Sequence, residues 1–237
     1  MGKIIFNNVS LDYPIHDARS TSLRNALLKI STGGIIEKSG TSSVVVKALN
    51  NVSFEINSGD SVGLVGHNGA GKTTLLRTMA GIYGPTTGTV KREGSISTII
   101  ELGAGMEEEL TGYENIIRMG LLMGLTKNFI TSKISEIEVF TDLGNFLAMP
   151  VRTYSAGMTM RLMFAVATCI KQDILLIDEM FATGDKAFQK KAYDRINDLI
   201  NHADIFIFAS HSEELIKKFC NRIFYLEHGS VKEILEK

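Results

Sequence analysis

Short apolar runs alternate with amphipathic segments along most of the chain. Ser61–Val65, Ile174–Ile177, residues 205–208 and residues 223–226 have the length and composition of buried strands. Helical spacing lies between such runs, as in residues 186–200 and 213–219. Strands that alternate with helices are typical of a mainly parallel sheet that is covered on both faces. The pattern therefore predicts an α/β fold.

The first hundred residues add a different kind of sheet. Residues 3–9 and 44–56 predict strands of an antiparallel β subdomain. We expect Pro14 to end the first of these strands, because proline donates no hydrogen bond to a ladder. Residues 89–92 and 95–100 are consistent with a hairpin between them.

Helical spacing dominates the middle of the chain. It extends over residues 107–149, with interruptions at glycines, and indicates a helical subdomain inserted at residues 103–161. Residues 1–102 and 162–237 are expected to form the core and its β subdomain. We therefore predict one domain, at residues 1–237, with an inserted part.

Residues 16–43 are rich in serine, threonine and glycine. Leu23, Ala26, Leu27 and Ile30 have the spacing of one apolar helix face, which predicts a short amphipathic helix. This helix either packs on the domain or turns its basic polar side towards a membrane or a partner subunit.

Composition excludes several classes of protein. With 44% hydrophobic and 22% charged residues, the 237-residue chain can build a core without disulfides, and it is not a disordered protein. A net charge of −1 disfavours a protein that grips nucleic acid, so we expect no nucleic-acid partner. The two cysteines suit a reducing compartment. No apolar run is long enough to span a membrane, which predicts a cytosolic chain unless another subunit holds it at a surface.

A glycine-rich segment at residues 66–73 carries the strongest chemical signal. It follows an apolar strand, precedes a helix and fits the pattern G-x-x-x-x-G-K-[ST]. Glycines let backbone N–H groups surround an anion, and the start of a helix attracts negative charge. We expect Lys72 to neutralise the β- and γ-phosphates and the Thr73 hydroxyl to bind Mg²⁺. The predicted nucleotide-binding residues here are Gly66, His67, Asn68, Gly69, Ala70, Gly71, Lys72, Thr73 and Thr74.

Two acids follow the strand Ile174–Ile177. A carboxylate at the end of a buried parallel strand is where an enzyme with such a loop holds Mg²⁺, so Asp178 is the predicted acid on the metal side. Glu179 lies one residue farther along, where it could polarise a water for attack on the γ-phosphate.

A second candidate anion site lies where the next helix begins. Ser155, Ala156, Gly157 and Met158 are small or unbranched residues at that start, and their N–H groups could face an anion. One nucleotide does not need two cradles. We therefore expect the second cradle to serve the nucleotide of another subunit.

Together these motifs resemble the ATP-binding cassette (ABC) ATPases over nearly the whole chain. Residues 154–161 are similar to the family signature L-S-G-G-Q with its following arginine. The resemblance implies a P-loop NTPase fold and binding of ATP and Mg²⁺. It also implies that Asp185 belongs to the D-loop, that His211 is the switch histidine at the γ-phosphate, and that Tyr13 stacks on adenine. Glu179, His211 and Lys72 are then the expected catalytic residues.

Departures from the common ABC motifs narrow the resemblance to one branch of the family. Tyr154 stands for the signature leucine, and Met180 stands where many members have proline. Glu101 occupies the place of the Q-loop glutamine, where it either binds the metal or faces the membrane subunit. These departures resemble the sequences of the polysaccharide-exporting branch, and so do the segments Glu-Leu-Gly-Ala-Gly and Tyr-Ser-Ala-Gly-Met. That branch includes the exporters of O-antigen, capsular polysaccharide and teichoic acid.

The branch implies an ATPase subunit of an exporter for a lipid-linked polysaccharide. Its expected partners are a second copy in an ATP-sandwich homodimer, polytopic membrane permease subunits and the polysaccharide that the complex moves. Its expected location is the cytoplasmic face of the inner membrane, as a peripheral protein. The alternatives are an ABC ATPase for another exported substrate and a non-transport ABC ATPase.

Overall fold

The computed structural model describes residues 2–15, 35–39, 43–99, 105–178 and 186–236. Its strands are β1 (Lys3–Ile15), β2 (Ile35–Ser39), β3 (Ser43–Asn57), β4 (Ser61–Val65), β5 (Thr87–Glu93), β6 (Ile96–Ile99), β7 (Ile174–Ile177), β8 (Ile205–Ala209), β9 (Arg222–Glu227) and β10 (Ser230–Glu236). Its helices are α1 (Lys72–Met79), α2 (Gly112–Leu122), α3 (Lys127–Thr141), α4 (Ala156–Ala167), α5 (Lys186–His202) and α6 (Glu213–Phe219). Short 3₁₀ turns lie at Gly144–Ala148 and Val151–Thr153. The helix predicted around residues 23–30 lies outside the described residues.

The chain divides into two compact units. The first comprises Met1–Ile96, Asp173–Glu179 and Asp204–Lys237, and the second comprises Ser97–Gln172 and Met180–Ala203. The division predicted from the sequence, with its helical subdomain at residues 103–161, stays a prediction.

The first sheet of the first unit has the order β2–β3–β1–β5, and its paired neighbours are antiparallel. β1 continues through Pro14 to Ile15, so the prediction that proline ends this strand is wrong. β5 pairs with β1 only as far as Ser10, opposite Thr87. Pro14 therefore lies where the strand makes no ladder with β5, and a missing N–H is tolerated at such an edge.

The predicted hairpin between residues 89–92 and 95–100 is also wrong. β5 pairs with β1 instead, and β6 is not part of that sheet. The Ser95 N–H and hydroxyl donate to the Asp173 carboxylate at 2.7 and 2.8 Å, which directs the chain away from β5. These hydrogen bonds hold the pKa of Asp173 below its usual value.

The second sheet of this unit is mainly parallel, as the sequence predicts. Within the unit its strands follow the order β10–β9–β4–β8–β7, and only β10 is antiparallel to its neighbour. Leu64 pairs with Ala209 and Ile177 pairs with Phe208, so β4, β8 and β7 end at the same edge. Every residue of β7 and β8 is buried. This continuous burial explains why the strands read as plain apolar runs.

Helix α6 covers the middle of β4. A Cβ on Gly63 would lie 2.6 Å from Cγ2 of Ile216, so the helix approaches the strand closely because Gly63 has no side chain. Among the residues that the structure describes, we find no helix with the length and apolar character that crossing a membrane requires.

The second unit has its own apolar core, to which α2, α3 and α4 contribute. Ile116, Ile130, Ile137 and Leu162 are fully buried in it. Thr111 begins α2 with a capping box, in which its side chain accepts from the N–H of Glu114 and the Glu114 carboxylate accepts from the N–H of Thr111. This cap satisfies N–H groups that the first helical turn would otherwise leave without partners.

Candidate functional site

The phosphate loop, residues 66–73, joins β4 to α1 in the first unit. Gly71 has a φ of 108° at the start of α1, and Gly69 has a φ of 80°, which residues with a Cβ rarely adopt. The N-cap of α1 carries no side-chain hydrogen bond among the described residues. The first N–H groups of α1 are therefore not capped by a side chain and favour an anion.

The Lys72 side chain folds back over this loop. Its ammonium donates to the carbonyls of Gly66 at 2.6 Å and His67 at 3.2 Å, and the residue is 9% exposed. His67, Asn68 and Gly69 are exposed around it. A charged amine thus stands beside the N–H groups of the loop, as binding of phosphates requires.

Thr73 and Asp178 meet at the edge of the parallel sheet. The Thr73 hydroxyl donates to Oδ2 of Asp178 at 2.8 Å, although the two residues are far apart in sequence. Asp178 directly follows β7, and Thr73 lies in the first turn of α1. A hydroxyl and a carboxylate side by side supply the hard oxygen ligands that Mg²⁺ prefers. The donor set therefore fits the ion that the sequence predicts.

His211 lies at the same edge of the sheet. It is exposed and follows β8, whose end at Ala209 pairs beside Leu64 of β4. The N–H of Ser212 donates to the Ser210 hydroxyl at 3.0 Å, and Ser212 caps α6. This short turn holds the backbone of His211 beside the strand that leads into the phosphate loop.

Tyr13, the residue predicted to stack on adenine, lies near the start of α1. It is 37% exposed, and its hydroxyl shares hydrogen bonds with Thr74 and Tyr83. Burial raises the pKa of the Tyr13 hydroxyl, and the hydrogen bond with Thr74 opposes this shift. The phenol thus stays protonated, with its hydroxyl beside Thr74, the residue that follows the phosphate loop.

Two contacts that support the phosphate loop and helix α1 were not identified from the sequence. The N–H of Gly229, in the turn between β9 and β10, donates to the Ala70 carbonyl at 3.0 Å. The Arg92 guanidinium donates to the carbonyls of Met79 and Thr78 at the end of α1, at 2.7 and 2.5 Å. Both supports come from distant parts of the chain, so no local motif marks them.

The signature segment lies in the second unit. Ser155 caps α4, and its hydroxyl accepts from the N–H of Met158 at 3.3 Å. Ser155, Ala156 and Gly157 are exposed, and Met158 is half-buried. The helix start predicted from these residues is therefore present, with its first residues open to solvent.

The structure brings together only part of the predicted set. Lys72, Thr73 and Asp178 lie within one site, with Tyr13 attached to Thr74 next to it. Glu179 and Glu101 lie outside the described residues, as do Met180 and Asp185.

Known proteins are similar to this chain in sequence and in fold. A sequence profile of the family described as ABC transporter matches residues 49–182. The chain is 63% identical to a protein named O-antigen export system ATP-binding protein RfbE, from Yersinia enterocolitica, over 98% of each chain. This chain belongs to the ABC transporter family. The resemblance predicted from its motifs is confirmed.

Another relative of this ABC protein is longer than the chain. Our chain is 40% identical to this relative, a protein from Bacillus anthracis named Teichoic acids export ATP-binding protein TagH. The match covers 98% of this chain but 40% of the relative. Among solved structures, this chain is similar to a dimeric ATP-binding cassette in a post-hydrolysis state bound to ADP and Pi. That likeness has a TM-score of 0.70 and 19% identity, covers 98% of both chains, and shows the fold.

Proposed function

We propose that this chain is the ATP-hydrolysing subunit of an ABC transporter that exports a lipid-linked, O-antigen-like polysaccharide. The observation that carries the enzymatic part is the contact of Thr73 with Asp178 at 2.8 Å, at the sheet edge where the phosphate loop begins. The export part rests on the 63% identity with a protein named for O-antigen export.

ATP binds with its phosphates in the phosphate loop. The N–H groups at the start of α1 and the Lys72 ammonium bind the β- and γ-phosphate oxygens. Lys72 then exchanges its hydrogen bonds with the Gly66 and His67 carbonyls for bonds with phosphate. The adenine stacks on the exposed ring of Tyr13.

Thr73 and Asp178 are the residues that would hold Mg²⁺. Their oxygens are already adjacent, so these two side chains would hold the ion without a large movement. When bound, the ion neutralises charge on the β- and γ-phosphate oxygens. Glu101 is a further candidate ligand.

Hydrolysis needs a group that orients and deprotonates water. We assign this role to Glu179, which follows Asp178 directly. His211 donates to the γ-phosphate from the turn after β8 and helps to keep the transferred phosphoryl group in line with the attacking water. Lys72 stabilises the charge that develops on the transferred group.

Two copies form the working ATPase. In each composite site the phosphate loop of one copy binds ATP, and Ser155 to Met158 of the other copy cover the γ-phosphate. The exposed start of α4, with its N–H groups, supports this role. Closure of the dimer on ATP drives polytopic membrane subunits, which hold the chain at the cytoplasmic face of the inner membrane.

Complementation tests this proposal. A strain that lacks this subunit should regain surface polysaccharide with the wild-type chain but not with Lys72→Ala, which loses a charge-assisted contact and with it about ten- to a hundredfold in ATP affinity. Lys91→Ala removes an exposed lysine from β5 and is the matched control, which should complement fully. Surface glycan detected with antibody, together with ATP titration of the purified variants, gives both readouts.

The two readouts separate the parts of the proposal. Full ATP affinity in Lys72→Ala would contradict the phosphate-loop assignment. If Lys72→Ala binds ATP more weakly, but the strain that lacks the subunit still displays normal surface glycan, the phosphate-loop assignment stands. The exported substrate is then a different one, such as a teichoic acid.

A further inference from the structure

Tyr83 forms an edge-to-face contact with Tyr13. The ring centroids are 5.8 Å apart and the planes meet at 81°. Such a contact involves at most one face of the Tyr13 ring, so Tyr83 does not cover the opposite face, and Tyr13 is 37% exposed. Tyr83 is half-buried, and it belongs to the loop that follows α1.

The loop is built to return Tyr83 to α1. The N–H of Gly81 donates to the Thr78 carbonyl at 3.2 Å, and the N–H of Ile82 donates to the Arg77 carbonyl at 2.9 Å. These two bonds form a Schellman motif, for which the φ of 81° at Gly81 is required. The N–H of Tyr83 also donates to the Arg77 carbonyl, at 3.3 Å.

Arg77 fixes the Tyr83 side chain as well. Its Nη1 donates to the Tyr83 hydroxyl at 3.0 Å, and its guanidinium carbon lies 5.6 Å from the ring centroid. The loop is tied to β1 too, because the N–H of Asp12 donates to the Thr86 hydroxyl at 2.9 Å and the N–H of Thr86 donates to the Ser10 carbonyl at 2.8 Å. Arg77 therefore fixes the Tyr83 side chain, and the hydrogen bonds to β1 fix its loop relative to the strand that carries Tyr13.

We propose that Tyr83 is a positioning residue for the nucleobase: with Arg77, it holds the plane of the Tyr13 ring on which the base of a nucleoside triphosphate stacks. This inference rests on the proposed function, since it takes Tyr13 as the stacking residue. Tyr83 contacts Tyr13, the residue assigned to the base, and we assign it no contact with the phosphates. Its effect should therefore depend on the presence of a base and not on the identity of the base, because stacking tolerates any π-face.

Binding of three ligands to the full chain tests the inference. Tyr83→Leu should weaken ATP and GTP alike by about three- to tenfold, the range expected when one aromatic contact is lost. Inorganic tripolyphosphate, which has phosphates but no base, should bind as to the wild type. In turnover the KM for ATP should rise by the same factor while kcat stays within about twofold.

Three further variants complete the design. Tyr83→Phe keeps the ring against Tyr13 but loses the hydrogen bond from Arg77, so its ATP affinity should lie between those of the wild type and Tyr83→Leu. Ile82→Ala truncates the neighbouring side chain, which is 55% exposed, and is the control for a general effect on the loop. Tyr13→Leu should reduce ATP affinity at least as much as Tyr83→Leu.

Several results would overturn the inference. Equal weakening of ATP and tripolyphosphate by Tyr83→Leu would mean that the substitution disturbs the phosphate loop. An unchanged ATP affinity, or an equal loss in Ile82→Ala or Tyr83→Phe, would remove the positioning role. If Tyr13→Leu binds ATP normally while Lys72→Ala does not, the phosphate-loop function stands and only this inference fails. A wild type that binds neither ligand would refute the proposed function and the inference together.

Discussion

Tyr154 connects three segments of the second unit just before the signature helix α4. Its hydroxyl donates to the Phe146 carbonyl at 2.7 Å and accepts from the N–H of Gly112 at the start of α2. Its ring packs against the core of this unit and meets the Phe146 ring edge-on, with centroids 6.5 Å apart. Since the family signature has leucine here, Tyr154→Leu restores the common residue, and we expect it to destabilise this protein.

The magnitude follows from what each substitution removes. Tyr154→Phe deletes the hydroxyl, but the bond with Phe146 lies at the surface, and Gly112 also donates to the Met149 carbonyl at 3.3 Å. Water can replace part of this bonding, so the cost should be about 0.5–1 kcal/mol, the low end for a hydrogen bond. Tyr154→Leu also loses the aromatic pair and part of the apolar contact with the core, which brings the cost to about 1.5–2.5 kcal/mol.

Thermal unfolding of the purified variants measures this difference. For a chain of this length, each kcal/mol lowers the midpoint by about 2–4 °C, so Tyr154→Leu should unfold several degrees below Tyr154→Phe. Tyr113→Phe is the control, because it removes another phenol hydroxyl of this unit, one that donates to Glu138, and it should cost less than Tyr154→Leu. Equal losses of stability in Tyr154→Phe and Tyr154→Leu would show that the hydroxyl dominates. They would refute the contributions that we assign to the aromatic pair and the apolar contact. An unchanged midpoint in Tyr154→Leu would refute any structural role of the residue.

Three other predictions address the site and one buried thiol. Glu179→Gln should stop hydrolysis but keep ATP binding, so that an ATP-bound dimer accumulates in size-exclusion chromatography; parental turnover would exclude Glu179 as the base. Ser155→Arg should bind ATP as a monomer yet fail to turn over, and mixing it with Lys72→Ala should restore activity from one composite site; loss of binding by the Ser155→Arg monomer would contradict the role in the partner's site. Burial raises the pKa of the Cys169 thiol from 9.0 to about 11. A maleimide at pH 8 should therefore label this thiol about a hundredfold more slowly in the native protein than in urea. Mass spectrometry measures the two labelling rates, and equal rates would contradict the burial of Cys169. Because the fold favours the neutral thiol, the stability that this group contributes is complete below pH 9 and is lost as the pH rises towards 11.

Where one local pattern decides an element, the sequence predicted it closely. The strand at residues 174–177 and the helix at residues 213–219 have the bounds that were predicted. The first is a run of four buried aliphatic residues, and the second has Ser212 as its cap and acids in its first turn. β10 was not predicted, because its mixed sequence becomes a strand only through pairing with β9.

The phosphate loop and Asp178 were predictable for a related reason. Their side chains are brought together by strand order, and the carboxyl ends of parallel strands always meet at one edge. The contact between Thr73 and Asp178 is the outcome of this rule. Tyr83 could not be found in this way, because its place beside Tyr13 depends on a turn after α1 and on hydrogen bonds to another strand.

Helix α1 illustrates why a motif alone does not determine affinity. Gly229 holds the loop before it through Ala70, and Arg92 binds the carbonyls at its far end. Thr73 ties its first turn to the end of β7 through Asp178. A phosphate loop binds well only if its N–H groups already point at the anion, since ordering them on binding would cost free energy. Burial lowers the pKa of Arg92 from its usual value, yet an arginine keeps its charge at neutral pH, so the cap at the end of α1 persists. The orientation of the cradle is thus set by residues that lie outside the motif and that only the fold brings to it.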